Sequence, residues 1–199
     1  MALSVDDLPD RPPAGLRLSS LDVAWWRLDV DPPDAWRWQP YPTLRGQFDP
    51  DPGTARVRHA ARTLRGAFRE RCADARRVIH AGEWDTQVVR LTGRVRVLDL
   101  RTESVLDALG LDDEISTGRD PRVLRASRVL CARLVAWYGP RLHGVVYRSR
   151  TTPASSANLA FFSATPLVAR AVGTVGEFDE LLTALIVDDG FRVDLAGWT

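Results

Sequence analysis

The sequence predicts a single domain of α+β (mixed α/β) class, with a central mixed β-sheet flanked by helices. Apolar runs of strand length are interspersed with segments of helical period, but without the strict rhythm of a doubly wound sheet. The 199 residues, 45% hydrophobic and 27% charged, suit one domain with a sizeable core. No repeat or low-complexity tract divides the chain.

The elements follow in order. Residues 1–15, acidic and proline-rich, are expected to form a flexible leader, and residues 16–199 the domain. The stretch LDVAWWRLDV (21–30) alternates as a first strand with Arg27 inside it. A long proline- and aromatic-rich loop follows over 31–53, carrying Trp36, Trp38 and Tyr41. In residues 61–79, Leu64, Ala67, Phe68, Cys72 and Ala75 recur at spacings of three and four, the mark of a helix. GRVRVLDL (93–100) alternates and then turns apolar, as a strand. A short helix is expected over 102–111, with Thr102 as cap and Gly110 near its end. A long one spans 120–139, stopped by Gly139-Pro140. Strands at 144–147 and 159–162 flank a loop of small and polar residues, and a last helix runs over 175–190.

Composition excludes several chemistries. All 27 basic residues are arginine, so no lysine serves as Schiff base, general base or phosphate-loop ligand. There is no C-x-x-C, H-E-x-x-H, G-x-x-x-x-G-K-[ST], G-x-G-x-x-G or G-x-S-x-G, and His59, His80 and His143 stand apart, so no metal is expected. Cys72 and Cys131 lack a disulfide framework and fit a reducing compartment. A net charge of +1 gives no global field for nucleic acid or membrane, no window approaches a membrane span, and the N-terminus is not a signal peptide. A cytoplasmic protein is expected.

Three features remain: Arg27 in its aromatic strand, Glu70 on the first helix, and Ser149 between two arginines at the end of a strand. Singly, each has a bland reading: an arginine covering tryptophan, a solvated helix position and a turn residue. In order, they carry a resemblance. The segments WWRL (25–28), GQFDPDPG (46–53), RHAARTLRGAFRE (58–70), VRVLDL (95–100), ISTGRDPRVLRASRVLCARL (115–134) and HGVVYRSR…NLAFF (143–162) are similar to the RES domain family, named for an arginine, a glutamate and a serine. The last segment is the most specific.

The resemblance implies an ADP-ribosyltransferase-like fold and a bacterial toxin of a toxin–antitoxin pair, whose Xre-type antitoxin occludes the pocket. It implies that NAD is consumed as substrate, by phosphorolysis with inorganic phosphate, by hydrolysis, or by transfer of ADP-ribose to a protein. It assigns catalytic roles to Glu70 and Ser149, and NAD contacts to Arg27, Arg45, Gln47, His59 and Asn158. It leaves a homodimer open. Such a site suits the chemistry, because a carboxylate stabilises an oxocarbenium-like sugar carbon and arginines hold a pyrophosphate. Glu70 is expected near the start of its helix, and the aromatic loop 36–48 as one wall of the cleft, stacking on nicotinamide or adenine. One departure stands out. The family carries an arginine in G-R-[FW]-[DN] where this chain has Gln47, and Arg45 would supply that charge from two residues away. His59 or Arg58 stands where relatives often carry a tyrosine. Two readings stand: an NAD-consuming enzyme, or a degenerate member that binds a nucleotide or a protein without turnover.

Overall fold

The structure is a computed structural model, and it describes residues 8–39, 46–50, 56–72, 77–151, 156–162 and 165–194. The class is as read from the sequence: a six-stranded mixed sheet, with a separate two-stranded one, flanked by five α-helices among the described residues.

Two long strands form the backbone of the fold. Strand β1 (Ser19–Asp29) pairs antiparallel with β4 (Gln87–Asp99) over its whole length, from Ser19↔Val97 to Asp29↔Gln87. Strand β2 (Val57–Ala61) follows, then helix α1 (Leu64–Cys72) and the short strand β3 (Val78–His80). After β4 come α2 (Glu103–Leu109), α3 (Glu114–Thr117) and α4 (Pro121–Tyr138), which lead to β5 (Gly144–Arg148). The Asp120 carboxylate caps α4 by accepting from the Arg122 amide, Pro121 opens its first turn, and Gly139 ends it at a φ of 52°. The chain closes with β6 (Ala157–Phe162), β7 (Val168–Thr174), α5 (Asp179–Val187) and β8 (Arg192–Asp194).

The pairings run β1-β2-β6-β5-β4, with β7 added on β4. Val97 of β4 faces Ser19 of β1 and Gly144 of β5, which requires opposite edges of the same strand. The five strands therefore close on themselves, through a single bridge between Trp26 of β1 and Ala61 of β2. Residues alternate strictly between the two faces, so one face of this ring forms its own core. Val23, Trp25, Val89, Leu91, Val95, Val97, Val146, Leu159 and Phe161 fill it.

The outer face is covered by two separate helical groups. Helices α2, α3 and α4 pack Leu106, Leu109, Ile115, Leu130 and Leu134 on Leu98, Val145, Ala160 and Phe162. Helices α1 and α5 pack Phe68, Cys72, Leu181 and Leu185 on Leu28, Ala61 and Val88. Burial of these side chains is what holds amphipathic helices of this length on a sheet.

Several boundaries differ from the sequence reading. The helix expected over 61–79 is shorter, because Ala61 completes β2 and Val78–His80 pair with β8. Strands β2, β3, β7 and β8 and helix α3 were not anticipated, being short or exposed on one side. Within residues 1–15, Leu8 is buried in the core and Asp10 pairs with Arg133 at 3.0 Å. Residues 1–7, Arg45 and Tyr41 lie outside the described residues.

Candidate active site

A cavity of about 280 Å³ opens on the outer face where the two helical groups meet. Its floor comes from three adjacent strands. His59 and Ala61 of β2, Asn158 of β6 and Tyr147 of β5 share one face, with Asn158 in register with both Ala61 and Tyr147. Its walls are Arg27 and Leu28 of β1, Gly46 and Gln47, Ala67, Glu70 and Arg71 of α1, and Arg150 just past β5.

Glu70 and Ser149 meet here. The Ser149 hydroxyl donates to Glu70 Oε1 at 2.7 Å, and the Thr151 hydroxyl donates to the same oxygen at 2.7 Å. The Thr151 amide in turn donates to Ser149 Oγ at 3.2 Å. Ser149 is buried because β5 ends beneath it and its own amide donates to the Ser156 carbonyl. Both donors converge on one carboxylate oxygen, Oε1, and among the described residues no hydrogen bond reaches Oε2. Glu70 lies in the last turn of α1, not near its start as expected, because the helix begins at Leu64. Helix α1 is held from behind by Asp189, whose carboxylate accepts from Arg65 Nε at 2.7 Å and Arg69 Nε at 2.8 Å, and from the Nη2 groups of both.

Arg27 borders the cavity but is bound within it. Nε and Nη2 contact Asp29 Oδ2 at 2.8 and 2.7 Å, and Nη1 donates to the His59 carbonyl at 2.7 Å. Arg58, 2% exposed, reaches the same Asp29 oxygen at 2.5 Å. The two arginines flanking Ser149 diverge. Arg148 turns to Asp113 and the Arg101 carbonyl. Arg150 makes no hydrogen bond or ion pair among the described residues, and it borders both this cavity and a second one of about 170 Å³. Arg69, Arg77 and Arg119 also line that second cavity.

Gln47 donates through Nε2 to the Ile115 carbonyl at 2.6 Å and to the Ser116 carbonyl at 3.3 Å. The amide thus ties the cavity wall to α3. His59 is half-buried, with Nδ1 2.9 Å from the Tyr147 hydroxyl. A Cβ at Gly46 would stand 3.2 Å from His59 Nε2, so glycine lets this turn approach the ring. Burial lowers the His59 pKa from its ordinary value, opposed by Asp49 and aided by Arg27. Burial likewise pushes the Tyr147 phenol up, reinforced by the charge of Glu70. Both rings are therefore neutral near pH 7.

Asn158 is 1% exposed, and both polar atoms of its amide are closed off from solvent. The neighbouring Tyr147 hydroxyl interacts with both the Asn158 amide and His59.

The aromatic residues Trp36 and Trp38 do not wall this cavity. They pack on Phe161 at ring distances of 6.4 and 6.0 Å and line a separate cavity of about 370 Å³. The Arg58 guanidinium stacks on both, 4.5 and 5.2 Å from the ring centres. Of loop 36–48, Gly46 and Gln47 do wall the cavity, whereas the expectation that the tryptophans stack there is corrected: Trp36 and Trp38 serve the inner core of the sheet. Sequence reading missed Thr151, whose only local signal is its place two residues after Ser149, and the Asp189 clamp behind α1.

The RES domain family model matches residues 24–179, well over half of the chain. The chain belongs to the RES domain family. Its RES fold is similar to a chain of the crystal structure of the M. tuberculosis MbcT–MbcA toxin–antitoxin complex, at a TM-score of 0.57 and 18% identity, covering 90% of this chain and 98% of that one. No curated protein matches its sequence. Among the described residues of this RES domain, no group of three or more His, Cys, Asp or Glu could hold a metal ion, and no helix is long and apolar enough to cross a membrane.

Proposed function

We propose that this RES domain consumes NAD by cleaving its nicotinamide–ribose bond, and that it is the toxin of a toxin–antitoxin pair. One observation carries the proposal: Glu70 borders a preformed cavity with one carboxylate oxygen anchored by Ser149 and Thr151 and the other without a hydrogen bond among the described residues. Loss of nicotinamide leaves positive charge on the anomeric carbon. A fixed carboxylate nearby stabilises that charge as it develops, or activates the attacking group. Ser149 and Thr151 are positioning residues in this scheme. Arg150, without a hydrogen bond or ion pair among the described residues, supplies a cation for a phosphate oxygen, and Arg27, Arg45, Gln47, His59 and Asn158 complete the NAD site. At about 280 Å³ the cavity lies just below the usual ~300–1,000 Å³ range of ligand pockets, so it takes the nicotinamide–ribose end while the phosphates extend past Arg150.

Inorganic phosphate, water or a protein side chain would then be the acceptor, and an Xre-type antitoxin covering the cavity would be the partner. A second reading, a member that binds a nucleotide or a protein without turnover, is favoured by Gln47, whose donor is spent on α3 carbonyls where the family carries a guanidinium.

Incubation with NAD, with and without phosphate, separates these readings. Nicotinamide release is expected, and Glu70→Gln is expected to slow it by ~10²–10⁴-fold with the fold intact. Binding of NAD without nicotinamide release would establish the second reading. A Glu70→Gln protein as fast as the parent removes Glu70 from the mechanism.

A further inference from the structure

The second cavity, of about 170 Å³, shares Arg150 with the first. Five stretches of chain meet there: Arg69 of α1, Arg77 just before β3, Arg119 between α3 and α4, Arg150 and Thr151 after β5, and Asp189 between α5 and β8. Four guanidinium groups thus face one carboxylate. That carboxylate is already engaged, since Asp189 accepts from Arg69 Nε at 2.8 Å and from Arg65 Nε at 2.7 Å. Arg119 and Arg150 make no hydrogen bond or ion pair among the described residues. Like charges gathered around a concave space repel one another until an anion joins them.

The backbone points the same way. Arg77 has a φ of 58°, in the left-handed region that a residue with a Cβ rarely takes. It is held there by its carbonyl, which accepts from the Arg192 amide at 2.8 Å, and by Nη1, which donates to the Asp189 carbonyl at 2.9 Å. Glycine or asparagine would take this turn at less cost, but neither carries a charge. Strain of this kind gathers at ligand sites.

The cations of the first cavity are committed elsewhere. Arg27 is tied to Asp29 and Arg71 to Glu83 at 2.6 Å, and Gln47 stands in place of the family's arginine with its amide on the Ile115 and Ser116 carbonyls. A guanidinium offers two parallel N–H groups that match a pair of phosphoryl oxygens. At about 170 Å³ the second cavity is well under the ~300 Å³ lower end of ligand pockets, so it suits a phosphoryl group better than a nucleoside.

Resting on the NAD reading above, we propose that the second cavity is a phosphoryl subsite, in which Arg119 and Arg150 grip the oxyanion and Arg69 and Arg77 add positive field from their bonds to Asp189. Thr151 is the wall between the two cavities. Its hydroxyl donates to Glu70 Oε1, and its carbonyl accepts from Arg69 Nη1 at 3.3 Å. An oxyanion in the second cavity is therefore one side chain away from the carboxylate of the first. It belongs either to the dinucleotide's own pyrophosphate or to free inorganic phosphate.

Calorimetric binding of inorganic pyrophosphate and inorganic phosphate, without NAD and at constant ionic strength, reads this subsite with no turnover. Wild-type protein should bind pyrophosphate. Arg119→Gln should weaken that binding by about tenfold or more, the loss that one charge-assisted hydrogen bond carries, and the double variant with Arg150→Gln should abolish it. Arg119 is exposed, so its replacement leaves the fold intact. Arg94→Gln removes the same charge from an exposed site beside Asp22 and should bind as the wild type does. An equal loss there would reduce the effect to net charge and overturn the proposal. Nicotinamide release then separates the two sources. A raised KM for NAD in Arg119→Gln, with pyrophosphate competing against NAD, assigns the subsite to the dinucleotide, whereas a raised KM for phosphate alone assigns it to free phosphate; either result supports the subsite. Pyrophosphate binding that Arg119→Gln weakens, in a protein that never releases nicotinamide, supports the subsite and sinks the catalytic reading alone. A wild-type protein that binds neither anion, or binding that Arg119→Gln leaves unchanged, would overturn the proposal.

Discussion

Removing the two hydroxyls that hold Glu70 tests the site most directly. Ser149 and Thr151 each donate to Oε1 at 2.7 Å, short enough for a charge-assisted bond. Such bonds contribute ~1.5–3 kcal/mol each. If half of that is realised in the transition state, each loss slows cleavage by about 3- to 10-fold. Ser149→Ala should cost more than Thr151→Val, because Ser149 Oγ also accepts the Thr151 amide at 3.2 Å and its loss leaves that donor unpaired. The double variant should lose more than the product of the singles, on the order of 10²–10³-fold. After one deletion the surviving hydroxyl still anchors Oε1, whereas after both nothing among the described residues does, and coupling of ~0.5–3 kcal/mol is usual for groups sharing a partner. The assay is nicotinamide release from NAD at saturating and sub-saturating substrate, with thermal melts by circular dichroism confirming the fold. A double variant that retains more than half of the parent rate would refute the positioning role of both hydroxyls.

Asp189→Asn should loosen α1 from behind. The carboxylate is nearly fully buried and accepts from Arg65 and Arg69, the Arg65 bonds foremost in holding its pKa well below the ordinary 3.8. Arg65 is partly solvent-screened, so a loss of about 2 kcal/mol is expected, a fall of ~4–8 °C in Tm; an unchanged melt would show that the clamp contributes nothing. In the wild type this contribution is complete above pH 3.8 and is lost as pH falls below it, since the unfolded chain then binds the proton that the folded one refuses. His59 acts in a higher window: its folded pKa lies below 6.5, so stability is full above pH 6.5 and declines as pH falls from there towards the folded value. Urea unfolding between pH 5 and 8 should show stability rising with pH, with a smaller slope for His59→Gln; equal slopes in the two proteins would exclude a His59 held neutral by the fold. His143, whose pKa is also lowered by burial, accounts for the slope left in the variant.

The helices and long strands were legible because each carries its own periodicity. Residues 121–138 repeat apolar positions every three to four residues and are bounded by Asp120-Pro121 and Gly139, so the helix there needs no distant partner to be recognised. The order of Arg27, Glu70 and Ser149, with the Y-x-S-R and N-L-A-x-F segments, was enough to suggest the family. Tyr147 and Ser149, two apart at the end of a strand, also share a face by local geometry alone. Short segments such as Val57–Ala61 were not legible, because five residues carry too little pattern to separate strand from the start of the next helix.

What the linear order could not decide is who meets whom. The sequence by itself determined the class of the fold, the lysine-free chemistry and the residues worth watching, since these depend on composition and neighbours along the chain. Only the tertiary structure decided that Arg150 faces the cavity while Arg148 turns to Asp113, and that Gln47 is spent on the Ile115 carbonyl. It also decided that Trp36 and Trp38 pack on Phe161 and that Asn158 sits opposite both Ala61 and Tyr147 on the cavity floor. Each of these depends on partners up to 125 residues away, brought together when the sheet closes and the two helical groups settle on its outer face. Periodicity shows which face a residue takes, and a hydrogen-bond partner is chosen only once that face has met another.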